Sequence, residues 1–483
     1  MHHNKTNRVN LMTEFSAQEI GALRRQGIYR QRQKDEFFLR IRLPLGRLTS
    51  SQLDTVASVV DETERGRLEL TTRQSIQIHG LAFDTIPRIR QTLEEVGLFS
   101  LGSGGKAVRN IVTFYEGGPF AGEAESLTRH LNETFVAKSL ELTLPHKFKV
   151  AVGESHRAGL LFNDVGLLPV QREGGLRWQV FVGGGLGSKP HVAQLLPVEV
   201  RGSDVSSLLV AILHVFIMKG TLNQRLKFLV QSLGLEHFWE LVREEWTVPV
   251  EDPVTSPSSL ETMGSSETVI VDVPDSSLTT VQLYKLASVA RRFTQGNIYL
   301  TSNRQILLRD VLPEEKEALL AELSTVDLAT PEPIHWIACP GRTLCARGLI
   351  DTQLRQSILN TLREHRLVWE KIEGMSIHLS GCASSCARPQ VADIGITGII
   401  DKQNPGIPSV TVTVGGGLDG EWPVLGETWR SPIKVEDLPT ALLIILENWL
   451  EKREGQETFR QTYLRRHREK GSHRIQEGRT VSE

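Results

Sequence analysis

The sequence predicts an α+β protein with a duplicated, pseudo-twofold architecture. Two observations support this: an internal repeat at a constant offset of 230 residues, and the same order of strand and helix patterns in both copies. Residues 48–59 align without gaps on residues 278–289, and seven of the twelve positions are identical. Two long copies indicate duplication, because a solenoid is built from shorter and more numerous units.

The repeat continues into the second part of each copy. Residues 163–166 correspond to 392–395, and residues 179–186 correspond to 411–418, so the offset drifts by only one or two. At an offset of 230, Arg109 corresponds to Cys339. We therefore expect one copy to hold a metal and the other to hold an anion.

A segment rich in proline, serine and threonine separates the copies and predicts a linker. The resulting division is an N-terminal extension (1–18), a first half-module (19–104), a first larger domain (105–249), the linker (250–267), a second half-module (268–330), a second larger domain (331–465) and a charged tail (466–483).

Each half-module begins with an alternating strand, at 36–43 in the first copy, followed by a helix capped by Thr49 or Ser50. A strand over 67–79 and a second helix near 84–97 complete a βαβ-like unit. If 68–79 is one strand, alternate residues share a face. One face then holds Leu68, Leu70, Ile76 and Ile78 together with Thr72 and Gln74, and the polar face holds Glu69, Thr71, Arg73, Ser75, Gln77 and His79. For an arbitrary strand such a polar face is exposed to solvent.

Two lysines, Lys147 and Lys149, are spaced so that a strand projects both ammonium groups to one face. Adjacent like charges are costly to bury unless an anion compensates them. The pair therefore indicates an anion site, with two ordinary surface lysines as the alternative.

All four cysteines of the chain lie within 48 residues: Cys339, Cys345, Cys382 and Cys386. Converging thiolates suit an iron–sulfur cluster or zinc. The gaps of five and three residues favour a [4Fe–4S] cluster over zinc, whose paired ligands usually lie two to four residues apart. Zinc and unligated or disulfide-bonded thiols remain open on spacing alone.

Two glycine runs, 183–185 and 415–417, each follow an apolar strand. They lack the helix and downstream acid of a dinucleotide site. Tight turns or a close backbone approach to a cofactor is the simpler interpretation.

The segments 338–345, 378–388 and 392–398 resemble the cluster-binding segments of the sirohaem-containing sulfite and nitrite reductases, apart from Ala383, where many members carry proline. The resemblance implies ferredoxin-like half-modules and two larger sirohaem- and cluster-binding domains. It implies that the four cysteines hold a [4Fe–4S] cluster, and that Cys386 also bridges to the sirohaem iron.

The same family resemblance extends to the basic motifs, and implies that Arg73, Arg109, Lys147 and Lys149 bind the substrate oxyanion. The sirohaem carboxylates need further basic partners, for which the candidates are Arg40, Arg42 and Arg388.

The resemblance implies a six-electron reduction of sulfite to sulfide in sulfur assimilation. Electrons would come from a separate protein, ferredoxin in chains of this type. Family nitrite enzymes tend to have asparagine in place of Lys149, so the lysine favours sulfite over the alternative, reduction of nitrite to ammonia. A corrin-modifying oxygenase and a non-enzymatic, zinc-structured binding protein are remoter alternatives.

Composition excludes other classes of partner. The net charge of −2 gives no electrostatic footprint for a nucleic acid. The sequence contains no run of 18 apolar residues, which a membrane span would need, and the N-terminus shows no apolar signal segment. We expect a cytoplasmic monomer.

Overall fold

The computed structural model describes residues 15–469, except for 64, 116, 155–158, 248–265, 329–332 and 419–422. Most of the expected linker therefore lies outside the described residues, as do most of the N-terminal extension and the charged tail. The first half-module contains α1 (Ala17–Arg25), β1 (Ile28–Arg30), β2 (Phe37–Ile41), β3 (Arg47–Thr49), α2 (Ser50–Asp61), β4 (Arg67–Leu70), β5 (Ile76–Leu81) and α3 (Ile86–Glu95).

A larger α+β unit follows. It contains β6 (Val112–Thr113), α4 (Ala121–Leu131), α5 (Ala137–Ser139), β7 (Val150–Val152), β8 (Val165–Arg172), β9 (Gly175–Val182), β10 (Gln194–Val200), α6 (Val205–Lys219), α7 (Leu226–Leu233) and α8 (Leu235–Glu245).

The second copy has the same order. Its half-module contains β11 (Glu267–Val271), β12 (Ser277–Thr279), α9 (Thr280–Phe293), β13 (Asn297–Leu300), β14 (Ile306–Val311) and α10 (Lys316–Ser324). Its larger unit contains β15 (Ile334–Ala338), α11 (Gly341–Leu344), α12 (Arg355–Glu364), α13 (Arg366–Trp369), β16 (Met375–Ser380), β17 (Ile394–Ile400), β18 (Pro408–Val414), β19 (Glu427–Lys434), α14 (Leu438–Lys452) and α15 (Phe459–Glu469). The strands β2, β3, β4 and β5 recur as β11, β12, β13 and β14 at the predicted offset of 230.

The two half-modules exchange one strand each. The first sheet has the order β1-β2-β5-β4-β12, so a strand of the second copy completes it, and the second has the order β11-β14-β13-β3. Leu278 lies opposite Leu68, and Ile298 lies opposite Leu48. All four side chains are buried in one core that both half-modules share.

The helix after each exchanged strand begins where the sequence predicts. Thr49 accepts a hydrogen bond from the Gln52 N–H, while the Gln52 side chain accepts one from the Thr49 N–H. Thr279 and Gln282 repeat this arrangement in the second copy. These capping boxes satisfy backbone donors that the first turn of a helix leaves unpaired.

The region predicted as one strand over 68–79 is instead a hairpin. β4 ends at Leu70, residues 71–75 form a turn in which Gln74 has a φ of 50°, and β5 begins at Ile76. The predicted apolar face is correct, because a five-residue turn preserves the alternation of faces. Glu69, Gln77 and His79 on the polar face are buried, so the solvent-facing interpretation is wrong.

The sheets of the larger units have equivalent orders, β10-β9-β8-β7-β6 and β15-β16-β17-β18-β19. When the two sheets are matched through their strand pairing, Val112 of the first copy corresponds to Ile337 of the second copy, an offset of 225. The predicted correspondence of Arg109 with Cys339 is therefore wrong, and Cys339 corresponds instead to Phe114. The connection from the half-module to the first strand is five residues shorter in the second copy, which moves the register.

Helix α6 lies in the core of the first larger unit. Together with the preceding turn (Gly202–Lys219), it is long and apolar enough to cross a membrane by length and composition. In this fold Leu208, Ile212 and Phe216 are buried against the sheet of that unit.

The glycine runs mark points where the chain passes close to itself. A Cβ on Gly184 would lie 2.2 Å from the Leu161 carbonyl oxygen, and one on Gly416 would lie 2.6 Å from the Gln390 carbonyl oxygen. The close backbone approach is therefore to the protein itself.

Candidate anion and cofactor site

The turn between β4 and β5 carries Arg73 into the first larger unit. Its guanidinium donates to the Asn163 side-chain oxygen (2.6 Å), to the Val150 carbonyl (2.7 Å) and to the Asn110 carbonyl. Burial, opposed by Asp164, lowers the pKa of Arg73 to about 9. These acceptors occupy both Nη groups and join the half-module to the larger unit, whereas the Nε of Arg73 is buried without an acceptor among the described residues.

Lys147 and Lys149 lie in the extended segment that leads into β7. No described residue accepts a hydrogen bond from either ammonium group. Burial, with Arg225 and Arg109, lowers the pKa of Lys147 to about 8. Burial, and next the Lys147 charge, hold the pKa of Lys149 well below its usual value. The two side chains are half-buried, and both lie in the electrostatic field of Arg225 and Asp164.

Arg109 lies beside these lysines. Its Nη2 donates to the Gly105 carbonyl (2.8 Å), whereas its Nη1 is buried without a partner in the described part of the chain. Burial lowers the pKa of Arg109 to about 10. Burial would raise the pKa of Tyr29, but Arg40 and Arg109 outweigh it and lower that pKa to about 8.

The three candidate partners of sirohaem differ in how they are held. Arg40 stacks on the Tyr29 ring (4.9 Å to the centroid) and lies 3.4 Å from the Gln77 side-chain oxygen. No described residue accepts a hydrogen bond from the Arg42 guanidinium. Arg388 donates to the Ser302 carbonyl at 2.8 Å. Each of the three keeps a buried Nε without an acceptor among the described residues.

Several site residues escaped the sequence analysis. The buried Arg225 pairs with the fully buried Asp164 through two hydrogen bonds of 2.9 and 2.8 Å. His79 has both ring nitrogens unpartnered within the described ranges, and burial, with Arg40, lowers its pKa to about 3. Arg304 takes the repeat position of Gln74, and its Nε is likewise buried without an acceptor there. Asp164 could have been found, because the repeated segments 163–166 and 392–395 share it.

The cysteine pairs converge beyond the ends of β15 and β16. The Gly381 N–H donates to the Cys339 sulfur at 3.1 Å, and all four thiols are free. Burial, and next the Cys386 thiolate, raise the pKa of Cys339 to about 12. Burial also raises the pKa of Cys345, with contributions from Cys386 and Cys382. Cys386 therefore lies close enough to Cys339 and Cys345 to affect the pKa of both.

No three His, Cys, Asp or Glu side chains of the described residues are close enough to share one metal ion. A [4Fe–4S] cluster makes a different demand, because it distributes its four thiolates over separate irons.

The cysteine loop and the anion side of the site are in direct contact. Thr72, next to Arg73, donates a hydrogen bond from its hydroxyl to the Cys386 carbonyl at 3.2 Å. Buried guanidinium nitrogens without acceptors are costly, and a polyanionic group would satisfy them. The residues present therefore fit a group with many carboxylates beside the cysteines, as sirohaem requires.

Comparison with known proteins identifies the family. Residues 119–250 and 330–466 match the nitrite and sulphite reductase 4Fe-4S domain, and residues 29–96 and 263–326 match the nitrite/sulfite reductase ferredoxin-like half domain. The predicted α+β fold with ferredoxin-like half-modules is thereby confirmed.

Two curated relatives illustrate the match. The chain is 31% identical to a ferredoxin–nitrite reductase of Synechococcus elongatus, over 85% of each chain. It is 28% identical to a sulfite reductase [ferredoxin] of Mycolicibacterium paratuberculosis, over 89% of this chain and 82% of the relative.

A solved structure shares the fold. The structure of the Mycobacterium tuberculosis NirA protein superimposes with a TM-score of 0.80, at 24% identity, over 93% of this chain and 91% of that chain. The family matches show that the cofactors are sirohaem and a [4Fe–4S] cluster, as the sequence predicts. The chain is an oxidoreductase and belongs to the nitrite and sulfite reductase family.

Proposed function

We propose that this enzyme reduces sulfite to sulfide. The observation that carries the proposal is the pair of neighbouring, half-buried lysines Lys147 and Lys149 in a cationic site, whose ammonium groups have no hydrogen-bond acceptor in the described part of the chain. Burial and Arg225 lower the pKa of both lysines, and the Lys147 charge lowers that of Lys149 further, so an anion that compensates these charges favours their protonated forms. A dianion such as sulfite compensates both charges, whereas nitrite compensates one.

Protons enter the reaction through the same pair. Each of the three oxygens of sulfite leaves as water, which consumes six protons together with six electrons. A lysine whose pKa lies near the working pH both holds and releases a proton readily. Lys147, with a pKa of about 8, meets this condition. The ammonium groups therefore bind the oxyanion and act as its proton donors.

The arginines divide into two roles. Arg109 keeps a buried Nη1 without an acceptor, and the Arg42 guanidinium has no acceptor within the described ranges, so both are available to bind an anion, the substrate or a sirohaem carboxylate. The two Nη groups of Arg73 are occupied by the acceptors that join its turn to the larger unit, and its Nε alone keeps no acceptor in the described residues, so we assign it a positioning role. This differs from the substrate contact that the family resemblance implies for Arg73.

The cofactors would be held by the cysteines and the basic residues around them. Cys339, Cys345, Cys382 and Cys386 would hold the cluster, and Arg40 and Arg388 would pair with sirohaem carboxylates. When bound, the cluster supplies electrons, and sirohaem supplies the iron at which the oxyanion is reduced.

Ferredoxin is the electron donor that we propose. Two relatives carry ferredoxin in their names, and this chain contains the same pair of domain types. Arg342 on α11 and Arg347 on the loop that follows it are exposed on either side of Cys345 in the sequence, where an acidic donor protein could approach the cluster. We further propose a cytoplasmic monomer, which size-exclusion chromatography and cell fractionation would test.

The decisive experiment is a comparison of steady-state rates. The holoenzyme is supplied with reduced methyl viologen, and kcat/KM is measured for sulfite and for nitrite at pH 7. We expect sulfite to be preferred. A preference for nitrite of tenfold or more would contradict the proposal.

Reduction of nitrite to ammonia is the second candidate. It is favoured by relatives at 31% and 30% identity, from Synechococcus elongatus and Haloferax mediterranei, whose names are nitrite reductases. The same rate comparison decides between the two.

A further inference from the structure

One carboxylate lies at the centre of the cationic site. Asp164 precedes β8 and is fully buried. It accepts two hydrogen bonds from Arg225, at 2.9 and 2.8 Å, and one from the Lys149 backbone N–H at 2.9 Å. The same side chain thus fixes the main chain of Lys149 and carries a negative charge beside it.

The charges around Asp164 come from several elements. Arg73 faces it from the β4–β5 turn, Arg225 and Lys227 from the start of α7, and His146, Lys147 and Lys149 from the segment before β7. Arg109 faces Lys147 from the segment before β6. Cys386 faces Lys147 from the cysteine loop. Among the principal electrostatic neighbours of Arg73, Lys147 and Lys149 in the described residues, Asp164 is the one carboxylate.

The second copy provides an internal comparison. Asp393 takes the same place before β17 and accepts hydrogen bonds from the Ser376 N–H (2.8 Å) and hydroxyl (2.7 Å). Ser376 takes the register position of Lys149. The fold therefore uses an aspartate to hold the neighbouring strand in both copies, and in the first copy alone the residue that it holds is a lysine in a cationic site.

We propose that Asp164 is a positioning residue of the oxyanion site, which holds the main chain of Lys149 in place and compensates the charge of Arg225 beside Lys147 and Lys149. This inference rests on the proposed function for its catalytic meaning. The alternative is that Asp164, like Asp393, serves the fold alone.

Charge variants separate the two possibilities. Asp164→Asn keeps the size and an acceptor oxygen but leaves Arg225 uncompensated, which adds a positive charge to the field at the lysines. Arg225→Gln has the opposite effect, because Asp164 then remains without its partner. Asp393→Asn removes the equivalent buried acid from the second copy and serves as the matched control.

The primary measurement is the titration of the lysines themselves. Holoenzyme is acetylated briefly with acetic anhydride across pH 6–11, and mass spectrometry gives the rate for each amine. We expect Asp164→Asn to move the midpoints of Lys147 and Lys149 to lower pH by on the order of one unit, and Arg225→Gln to move them to higher pH. Asp393→Asn should leave both midpoints unchanged.

The pH profile of activity is the second measurement. The alkaline limb of kcat/KM for sulfite should follow the midpoints, downward for Asp164→Asn and upward for Arg225→Gln. If Asp164→Asn does not fold, the upward shift in Arg225→Gln still tests the charge argument.

The outcomes also separate this inference from the proposed function. Unchanged midpoints in folded Asp164→Asn or Arg225→Gln would overturn the inference even if sulfite is the substrate. Shifted midpoints in an enzyme that prefers nitrite would support the role of Asp164 while refuting the choice of sulfite.

Discussion

Replacement of Lys149 by asparagine tests the choice of substrate most directly. The variant removes one of two neighbouring ammonium groups and keeps a polar side chain. An ammonium about 4 Å from a unit negative charge contributes roughly 4 kcal/mol at an effective dielectric constant of about 20. The cost of protonating Lys149 offsets part of this gain, because burial and Lys147 hold its pKa well below the usual value.

A net loss of about 2.7 kcal/mol, on the order of 100-fold in sulfite kcat/KM, is typical for removal of one preorganised donor. Nitrite carries half the charge of sulfite, so we expect its loss to be roughly tenfold by the same estimate. The ratio of sulfite to nitrite kcat/KM should therefore fall about tenfold. The difference from the wild type should shrink as the pH rises, because the wild-type lysine then loses its charge as well.

The assay uses initial rates with both oxyanions at pH 6.5 and pH 9, on preparations matched for iron content. Lys138→Asn, a replacement of an exposed lysine on α5, is the control and should keep the wild-type ratio. If the Lys149→Asn ratio equals that of the control, Lys149 does not discriminate between the substrates and the argument from charge is refuted.

Three further predictions concern the cofactors and the buried charges. Cys386→Ser should lose sulfite turnover and alter the haem spectrum more than Cys345→Ser does, since oxygen is a poorer ligand for this iron; native absorption with full turnover would disprove the bridging role. Arg73→Gln should lower the free energy of unfolding by about 3 kcal/mol, because it leaves buried acceptors unpaired. Arg42→Gln should instead lower the affinity for an anion at nearly constant stability. Denaturant melts measure the first effect, and sulfite titrations measure the second. Burial raises the pKa of Glu69 to about 7, so the stabilisation from its protonated form is present below pH 4.5 and is lost as the pH rises through 7. Glu69→Gln should therefore have a free energy of unfolding about 3 kcal/mol higher than the wild type above pH 7. Equal stability of the two proteins there would show that the Glu69 pKa is not raised by burial.

The repeat allowed most of the half-module fold to be predicted. Local signals such as Thr49 with Gln52, and the alternation of Leu68, Leu70, Ile76 and Ile78, depend on neighbouring residues and are therefore readable in one sequence. The hairpin at 71–75 was missed because a five-residue turn keeps the alternation of a continuous strand. Burial of the polar face was missed for a different reason, since burial depends on what the rest of the chain places over it.

In the candidate site, too, local features could be predicted from the sequence and long-range contacts could not. The spacing of Lys147 and Lys149 predicted that they would be neighbours, because two residues on one strand share a face. The acceptors of Arg73 come from three separate segments of the chain, so no spacing could show that its guanidinium is occupied. Arg225 lies about 60 residues after Asp164, and only the folded sheet brings the two together.

The exchanged strands also constrain how the chain is made. β4 forms the edge of its sheet until β12 arrives, and their partners Leu68 and Leu278 are 210 residues apart in the sequence. During synthesis the amino-terminal half therefore leaves the ribosome with an open strand edge, which is a template for pairing with another nascent chain. Because such distant pairing is slow to form, the sheet that carries Arg40, Gln77 and Glu69 stays incomplete until the second half-module has been made. Insertion of the cofactors thus belongs after chain completion, and a cell that makes this enzyme has to protect an unfinished sheet until then.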